Sequence, residues 1–483
     1  MKNLLRCKPI GCCLSDIENP STQLKKVLGP WQLIALGIGA IVGAGIFASI
    51  GTAAAGDSLR VGAGPAVILS FVVTAVACSF AALCYAEFAA MVPTAGSAYT
   101  YAYATLGELV AWIIGWDLII EYAVGNVAVA VSWSGYFTQL LAGVGIHIPV
   151  WLATDLRTAL ASPEILAAAP KFFSIPFVCN LPAAIIVLLI TALLVVGIKE
   201  SARFNTMMVV IKLLTLALFV GVGLFYVRPE NWHPFMPNGW SGVQTGAAVV
   251  FFAYIGFDAV STTAEECRNP GRDMPIGILG SLVICTLIYI VVGAVLVSLV
   301  PYQNLGVAEP LTLALRQIGR PEYAGFVAFG AVAALTAVLL VFQLGQPRIF
   351  FTMARDGLLP PWCAKVHPKY RTPHITTIIT GLLVAFFSAF ANINEVVDLT
   401  NIGTLFAFVL VCIGILVLRV REPGRHRPFK SPFFPWVPIL GILSCLYLMT
   451  GLPVITWWRF GIWLVAGLLF YFGYGKTHSR LNA

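Results

Sequence analysis

The stretch Trp31–Ile50 reads WQLIALGIGAIVGAGIFASI. It carries no charged residue and is about as long as the ~20 apolar residues that cross a bilayer core. Its middle holds Gly37, Gly39, Gly43 and Gly45. Glycine costs roughly 1 kcal/mol relative to alanine inside a helix, so the span is weakest at its centre. In hydrocarbon an unwound turn must have its amides satisfied by protein, water or ligand. Small residues three or four apart also let helices approach closely. Gly43-Ala44-Gly45, however, wraps round the helix instead of forming one flat face, and so favours a break. The fault recurs in Val249–Glu265, VVFFAYIGFDAVSTTAE, where Gly256 and Asp258 interrupt a second apolar span. Two interrupted spans at corresponding places in two halves point to a transporter's midplane site.

Composition sets the class. The chain has 483 residues, 59% of them hydrophobic and only 10% charged, against ~25% charged in soluble proteins. It is expected to be an all-α polytopic membrane protein. The eleven cysteines have no metal-ligand spacing, so neither a zinc site nor a disulfide framework is indicated. Cys7, Cys12 and Cys13 lie in the N-terminal tail, where acylation competes with a plain solvated tail as a reading. The first 30 residues hold no continuous apolar run of the signal-peptide kind.

Twelve spans are expected, near 31–52, 65–91, 109–137, 181–198, 203–227, 243–266, 275–300, 323–346, 374–391, 396–418, 435–451 and 453–474. The connection 138–180 carries four prolines and is expected to be a surface loop with short helical pieces. With the N-terminus inside, the inner segments hold 21 Lys and Arg, and the outer loops hold seven. That bias places both termini in the cytoplasm, and it explains the +8 net charge without a nucleic-acid partner. The chain therefore divides into a tail (1–30), a five-span unit (31–227), a second five-span unit of opposite topology (243–418), two further spans (435–474) and a second tail (475–483). Each five-span unit begins with a broken helix, which makes a 5+5 inverted repeat.

A fresh helical N-terminus offers free N–H groups and suits a carboxylate, whereas a fresh C-terminus offers carbonyls that suit an ammonium group. Two facing breaks can thus hold a zwitterion without a charged side chain. Ile41, Gly43, Ala44 and Gly45 are expected to supply amides, with Ile46 beside them. Phe252, Ala253 and Ile255 are expected to supply carbonyls, with Tyr254 among them. An amino acid is the ligand that this pair of ends describes. Leucine at Gly43 or Gly45 is expected to abolish binding and to affect folding little.

Three stretches carry a family resemblance: GIGAIVGAGIF with a following GP, FFAYIGFDAVSTTAEECRNPGRDMPIGI, and GQPRIFFTMARDGLLP. They resemble amino acid permeases of the amino acid–polyamine–organocation superfamily, above all its cationic amino acid transporters, over roughly residues 25–475. The resemblance implies the inverted-repeat fold. It also implies a twelve-helix prokaryotic type, since animal relatives have fourteen helices. Where the family often has G-T-G or G-S-G, this chain has Gly43-Ala44-Gly45, so a hydroxyl is missing and the backbone amides must do more.

Ionisable groups inside spans are functional hypotheses because burying charge in lipid is costly. Lys212 lies nine residues beyond Arg203, roughly 13 Å into the membrane at 1.5 Å per residue. It reads either as a structural donor to carbonyls of a broken helix or as the carrier of a coupling proton. The resemblance implies the second, since proton-coupled members carry a lysine there. Three roles fit Glu121: lining the side-chain end of the pocket, accepting the proton, or pairing within the bundle. Asp117, one turn earlier, reads as structural, and Asp258 as a cap on exposed amides. Gln343 is a candidate for tuning selectivity. Glu265, Glu266, Arg268, Arg272, Arg348, Arg355 and Asp356 fall at inner helix ends and read as a charge network.

A channel would need a continuous polar lining, and a membrane enzyme a catalytic set; neither pattern is present, and no cofactor or metal is expected. The expected function is secondary active uptake of an L-amino acid, cationic or small neutral, with protons as partner and the cell membrane as location. Amino acid exchange and transporter-like sensing are the alternatives.

Overall fold

The computed structural model describes residues 6–7, 26, 28–92, 97–172, 175–196, 202–370 and 372–480. Most of the N-terminal tail, including Cys12 and Cys13, lies outside them.

Helix α1 (Pro30–Ile41) starts where Pro30 takes the first helical position and Gln32 Oε1 accepts from the Gly29 N–H at 3.1 Å. It ends at Ile41 because Val42 leaves helical geometry (φ −74°, ψ 97°). A π-turn (Gly45–Ser49) and α2 (Ile50–Ala55) follow, bent 44° from α1. A small antiparallel ribbon, β1 (Gly56–Asp57) with β2 (Arg60–Val61), closes that end. Then come α3 (Val67–Met91), a short α4 (Ser97–Thr105) and the long α5 (Glu108–Gly143). The connection after α5 contains α6 (Leu156–Leu160), α7 (Pro163–Ala168) and a ribbon of β3 (Lys171–Phe172) with β4 (Ile175–Pro176). Helices α8 (Leu181–Val196) and α9 (Ala202–Gly223) complete the first half.

The second interrupted span begins with α10 (Gly239–Val250) and tightens into a 3₁₀ turn, Phe251–Ala253. After Gly256 it continues as a nine-residue 3₁₀ segment, Asp258–Glu266. Such runs rarely exceed three or four residues, so this half-span is held by its surroundings more than by its own hydrogen bonding. The remaining helices are α11 (Pro270–Leu299), α12 (Pro310–Gln317), α13 (Pro321–Arg355), α14 (His374–Phe390), α15 (Ile393–Arg421), α16 (Trp436–Thr450), α17 (Val454–Phe470) and α18 (Lys476–His478).

Among the described residues, eight helices are long and apolar enough to cross a membrane, and the bent pair α1 and α2 makes a ninth. Three shorter apolar helices, α8, α14 and α16, fall on three further expected spans. The protein is therefore a mostly helical polytopic membrane protein. Two elements depart from the expectation: α4 and α12 are short helices outside any span. Both are too polar or too short to register as apolar runs.

Two packed groups organise the bundle. Helix α11 lies along α3 and α1, and α10 packs on α3. Separately, α13 runs along α5, and α8 along α14. Helix α15 spans the two groups, touching both α5 and α3. Arg6 and Arg480, near the two termini, lie on one side of this bundle: the Glu108 N–H donates to the Arg6 carbonyl at 3.0 Å, and Arg480 N–H to the Asp356 carbonyl at 3.1 Å.

Candidate functional site

The two interruptions meet. A Cβ built on Gly45 would sit 2.1 Å from Ala253 Cα, so the π-turn of the first span lies directly on the 3₁₀ turn of the second. Gly256 has φ +124°, and a Cβ there would stand 2.8 Å from the Ala40 carbonyl carbon and 3.1 Å from the Ile41 nitrogen. Glycine is thus required twice, once for close approach and once for both approach and conformation. The amides of Gly43, Ala44 and Gly45 stand at the start of a new helical segment, where N–H groups lack intrahelical acceptors. All of Ile41 to Ile46 and Phe252 to Ile255 are buried.

Ile41 takes a different part from the one its sequence position suggests. It is the last residue of α1, so its carbonyl is the group released, and that carbonyl accepts from the Tyr289 hydroxyl at 2.9 Å. The same hydroxyl lies 3.0 Å from the Ala253 carbonyl. Tyr289 on α11 therefore bridges the two interruptions, with its ring packed against Phe71 and Tyr254. The Tyr254 hydroxyl itself donates to the Phe71 carbonyl at 3.0 Å. A lone tyrosine in an otherwise apolar span was the available signal for Tyr289. Asn401 on α15 is a second residue that the sequence reading passes over; its amide donates to the carbonyls of Ala248 and Val249, at the end of α10.

Lys212 on α9 is 1% exposed, and its ammonium donates to the Gly39 carbonyl at 2.5 Å. It thereby caps the last turn of α1, where carbonyls run out of intrahelical donors. Glu121 on α5 is also buried, accepts from Thr404 Oγ1 at 3.1 Å, and faces the Asp258 carboxyl. Asp258 in turn accepts from the Gly256 N–H at 3.1 Å. A chain of contacts thus runs from α15 and α5 into the second interruption. Asp117 is 1% exposed, and neither of its carboxylate oxygens has a hydrogen-bond partner among the described residues, so no structural tie holds it.

Gln343 is not brought to the interruptions. Its amide donates to Thr191 Oγ1 and to the Val187 carbonyl (3.3 Å), both on α8. Another α13 residue, Val338, meets Gly43, 3.1 Å from where its Cβ would stand, whereas Phe342 packs on Gly125 and Tyr122 of α5.

Away from the interruptions each side of the bundle is fastened. On the side opposite the termini, Arg60 pairs with a nearly inaccessible Asp398 at 2.5 Å and with the partly exposed Asp57 at 2.9 Å. Thr52 donates to Asn394 at 2.8 Å, and Tyr136 donates to the Phe47 carbonyl at 2.5 Å. On the termini side, the Leu28 N–H donates to the Glu266 carbonyl at 3.0 Å, joining the two interrupted spans. The ion-pair cluster there is centred on Glu87, which binds Arg419 at 2.5 Å, Arg427 at 3.4 Å and the Ser431 N–H at 2.9 Å.

A helical membrane bundle in which two interrupted spans meet is the architecture of a secondary transporter. The chain belongs to the amino acid permease family, which it matches over residues 28–471, a family of transporters and not of enzymes. It is 49% identical over 460 residues, 95% of each chain, to a protein of Bacillus subtilis (strain 168) described as branched-chain amino acid permease BcaP. It is 45% identical, end to end on both chains, to the methylthioribose transporter of the same organism. Cationic amino acid transporter 4, vacuolar, of Arabidopsis thaliana is 36% identical, covering all of this chain and 97% of its own.

Proposed function

We propose that the protein takes up an L-amino acid with a neutral, apolar side chain by alternating access, driven by protons. The observation that carries this reading is the contact of the two interruptions. Free amides at Gly43–Gly45 suit the α-carboxylate, and the carbonyls of Ile41 and Ala253, now shared by Tyr289, suit the α-ammonium. A cationic side chain would need a carboxylate to meet it. Glu121 is buried and already accepts from Thr404, a hydroxyl that a cationic side chain would have to displace. The likeness to a branched-chain amino acid permease points the same way.

Lys212 is the proposed coupling group. When charged it holds the end of α1 through Gly39; when neutral it releases one donor and the positive charge, and α1 is freer to tilt. Protonation would then bias a two-state element. We place both termini in the cytoplasm of a multi-pass cell-membrane protein on the Lys and Arg bias. The five spans from α1 to α9 and the five from α10 to α15 are taken as inverted repeats, with α16 and α17 added.

A second reading has its own support, since the methylthioribose transporter matches this chain from end to end. That solute is a thioether sugar with neither carboxylate nor ammonium, so the two readings separate cleanly. Purified protein is screened by thermal shift against the twenty amino acids and methylthioribose, because a ligand that binds only the folded state raises its melting temperature. The proposal expects leucine, isoleucine, valine or methionine to stabilise, and arginine and methylthioribose to leave the transition unmoved. Stabilisation by methylthioribose alone would replace it with the second reading.

A further inference from the structure

Helix α17 runs on without a break through a π-turn, Tyr471–Gly475, into α18, and these last turns are fastened to the bundle. Tyr471 donates from its hydroxyl to Glu108 Oε1 at 2.8 Å, and Ser479 Oγ donates to Glu108 Oε2. Glu108 is 2% exposed, at the first turn of α5. A third hydroxyl, that of Tyr103 on α4, reaches the same carboxylate at 3.3 Å. One residue further on, the Arg480 N–H donates to the carbonyl of Asp356, whose carboxylate accepts from Tyr99 of α4 at 2.8 Å. Next to Asp356, Gly357 has φ +85°, and a Cβ there would lie 2.2 Å from the His478 carbonyl. Residues 471–480 are thus held at two anchors, Glu108 and Asp356, and both anchors also hold α4.

Helix α4 reads SAYTYAYAT, with tyrosines at 99, 101 and 103. Residues four apart share a helix face, so Tyr99 and Tyr103 lie together (ring centroids 5.7 Å apart) over the two anchors. Tyr101 points the other way, its ring stacked on Phe88 of α3 (centroids 4.9 Å apart), and α4 itself packs on the 3₁₀ half of the second interrupted span. Helix α4 also joins α3 to α5, the two packed groups that must move against each other in alternating access.

We propose that Tyr471–Arg480 is a strap that clamps α4 against α5 and α13, and through the packing of α4 restrains the 3₁₀ half-span that must shift when the termini side opens. The strap acts whichever solute is carried, and its test does not need the solute to be known. Amide hydrogen exchange is followed by mass spectrometry on the full chain in lipid nanodiscs for the wild type, Ser479→Ala, Tyr471→Phe and Ser479→Asp. Loss of one hydroxyl donor to a carboxylate shifts a docking equilibrium by about ten- to a hundredfold, and Ser479→Asp adds like-charge repulsion against Glu108. Exchange over 97–105 and 258–266 is expected to quicken at least tenfold in Ser479→Asp, and by less in the two milder variants. Thr477→Ala, which removes only an exposed hydroxyl, is expected to match the wild type. Faster exchange over 471–480 with α4 and 258–266 unchanged would overturn the proposal and make the strap a passive end. If Ser479→Asp does not fold, the Ser479→Ala and Tyr471→Phe pair decides by the same comparison.

Discussion

Gly43 and Gly45 are two residues apart, yet substitution should affect them differently. A Cβ at Gly45 would stand 2.1 Å from Ala253 Cα, so leucine there must separate the two interruptions and damage the fold along with the site. The expectation that folding survives at Gly45 is corrected by that contact. At Gly43 the neighbour is a side chain, Val338 Cγ2 at 3.1 Å, which can yield or be trimmed. Gly43→Ala is expected to cost about 1–3 kcal/mol of overpacking. Adding Val338→Ala should recover the melting temperature without recovering the shift that the ligand induces. Recovery of both would make Gly43 a packing residue only. Tyr289→Phe removes the one hydroxyl between the Ile41 and Ala253 carbonyls and is expected to lower stability by about 1–3 kcal/mol, measured as thermal unfolding without ligand. An unchanged transition would show that water replaces it. Sequence placed Ile41, Gly43, Gly45 and Ala253 at the interruptions but did not show what each would touch. The helix ends at Ile41, which converts an expected amide into a carbonyl. The rotation of α13 sends Gln343 toward α8 and turns Val338 to the interruption. Neither rotation nor end point is written in local composition.

At the scale of elements, hydrophobic length made the spans legible, and glycine content made the interruptions legible. The polar fastenings were not, because they join residues hundreds of positions apart. The pair Arg60–Asp398 ties the ribbon after α2 to the start of α15. Removing one partner of a buried ion pair strands the other, at about 3–5 kcal/mol. Asp398→Asn should therefore lower the melting temperature by several degrees and increase labelling of an engineered cysteine at Thr52 by a membrane-impermeant thiol reagent from outside. Unchanged labelling would mean that this pair does not close that side. Glu87, which sequence shows only as part of an apolar span, centres an ion-pair cluster on the opposite side. Lys212 was legible because a charge so deep in a span is rare, and its contact with Gly39 gives that depth a partner. Lys212→Met is expected to keep substrate affinity within about threefold while abolishing accumulation driven by an imposed acid gradient in proteoliposomes. The threefold margin corresponds to less than one neutral hydrogen bond. Accumulation at the wild-type level would move the coupling role to the Glu121–Asp258 pair.

The whole molecule joins three things: a bundle of two packed groups, two interrupted spans that meet, and fastenings on both sides. Alternating access requires that the fastenings open in turn while the meeting point keeps its ligand. The central claim is that this meeting point recognises the two charges of a free amino acid by backbone alone. Isothermal titration of the purified protein with the best amino acid ligand, and with its partners lacking one charge, tests this most directly. For leucine the partners are leucinol, which lacks the carboxylate, and 4-methylpentanoate, which lacks the ammonium. Hydrogen bonds to charged groups are worth about 1.5–3 kcal/mol each. Loss of either charge should therefore weaken binding at least a hundredfold, leaving no measurable heat for either partner at concentrations that saturate with leucine. Comparable affinity for leucinol or 4-methylpentanoate would contradict the claim, because the ligand would then be held by its side chain and not by the two helix ends.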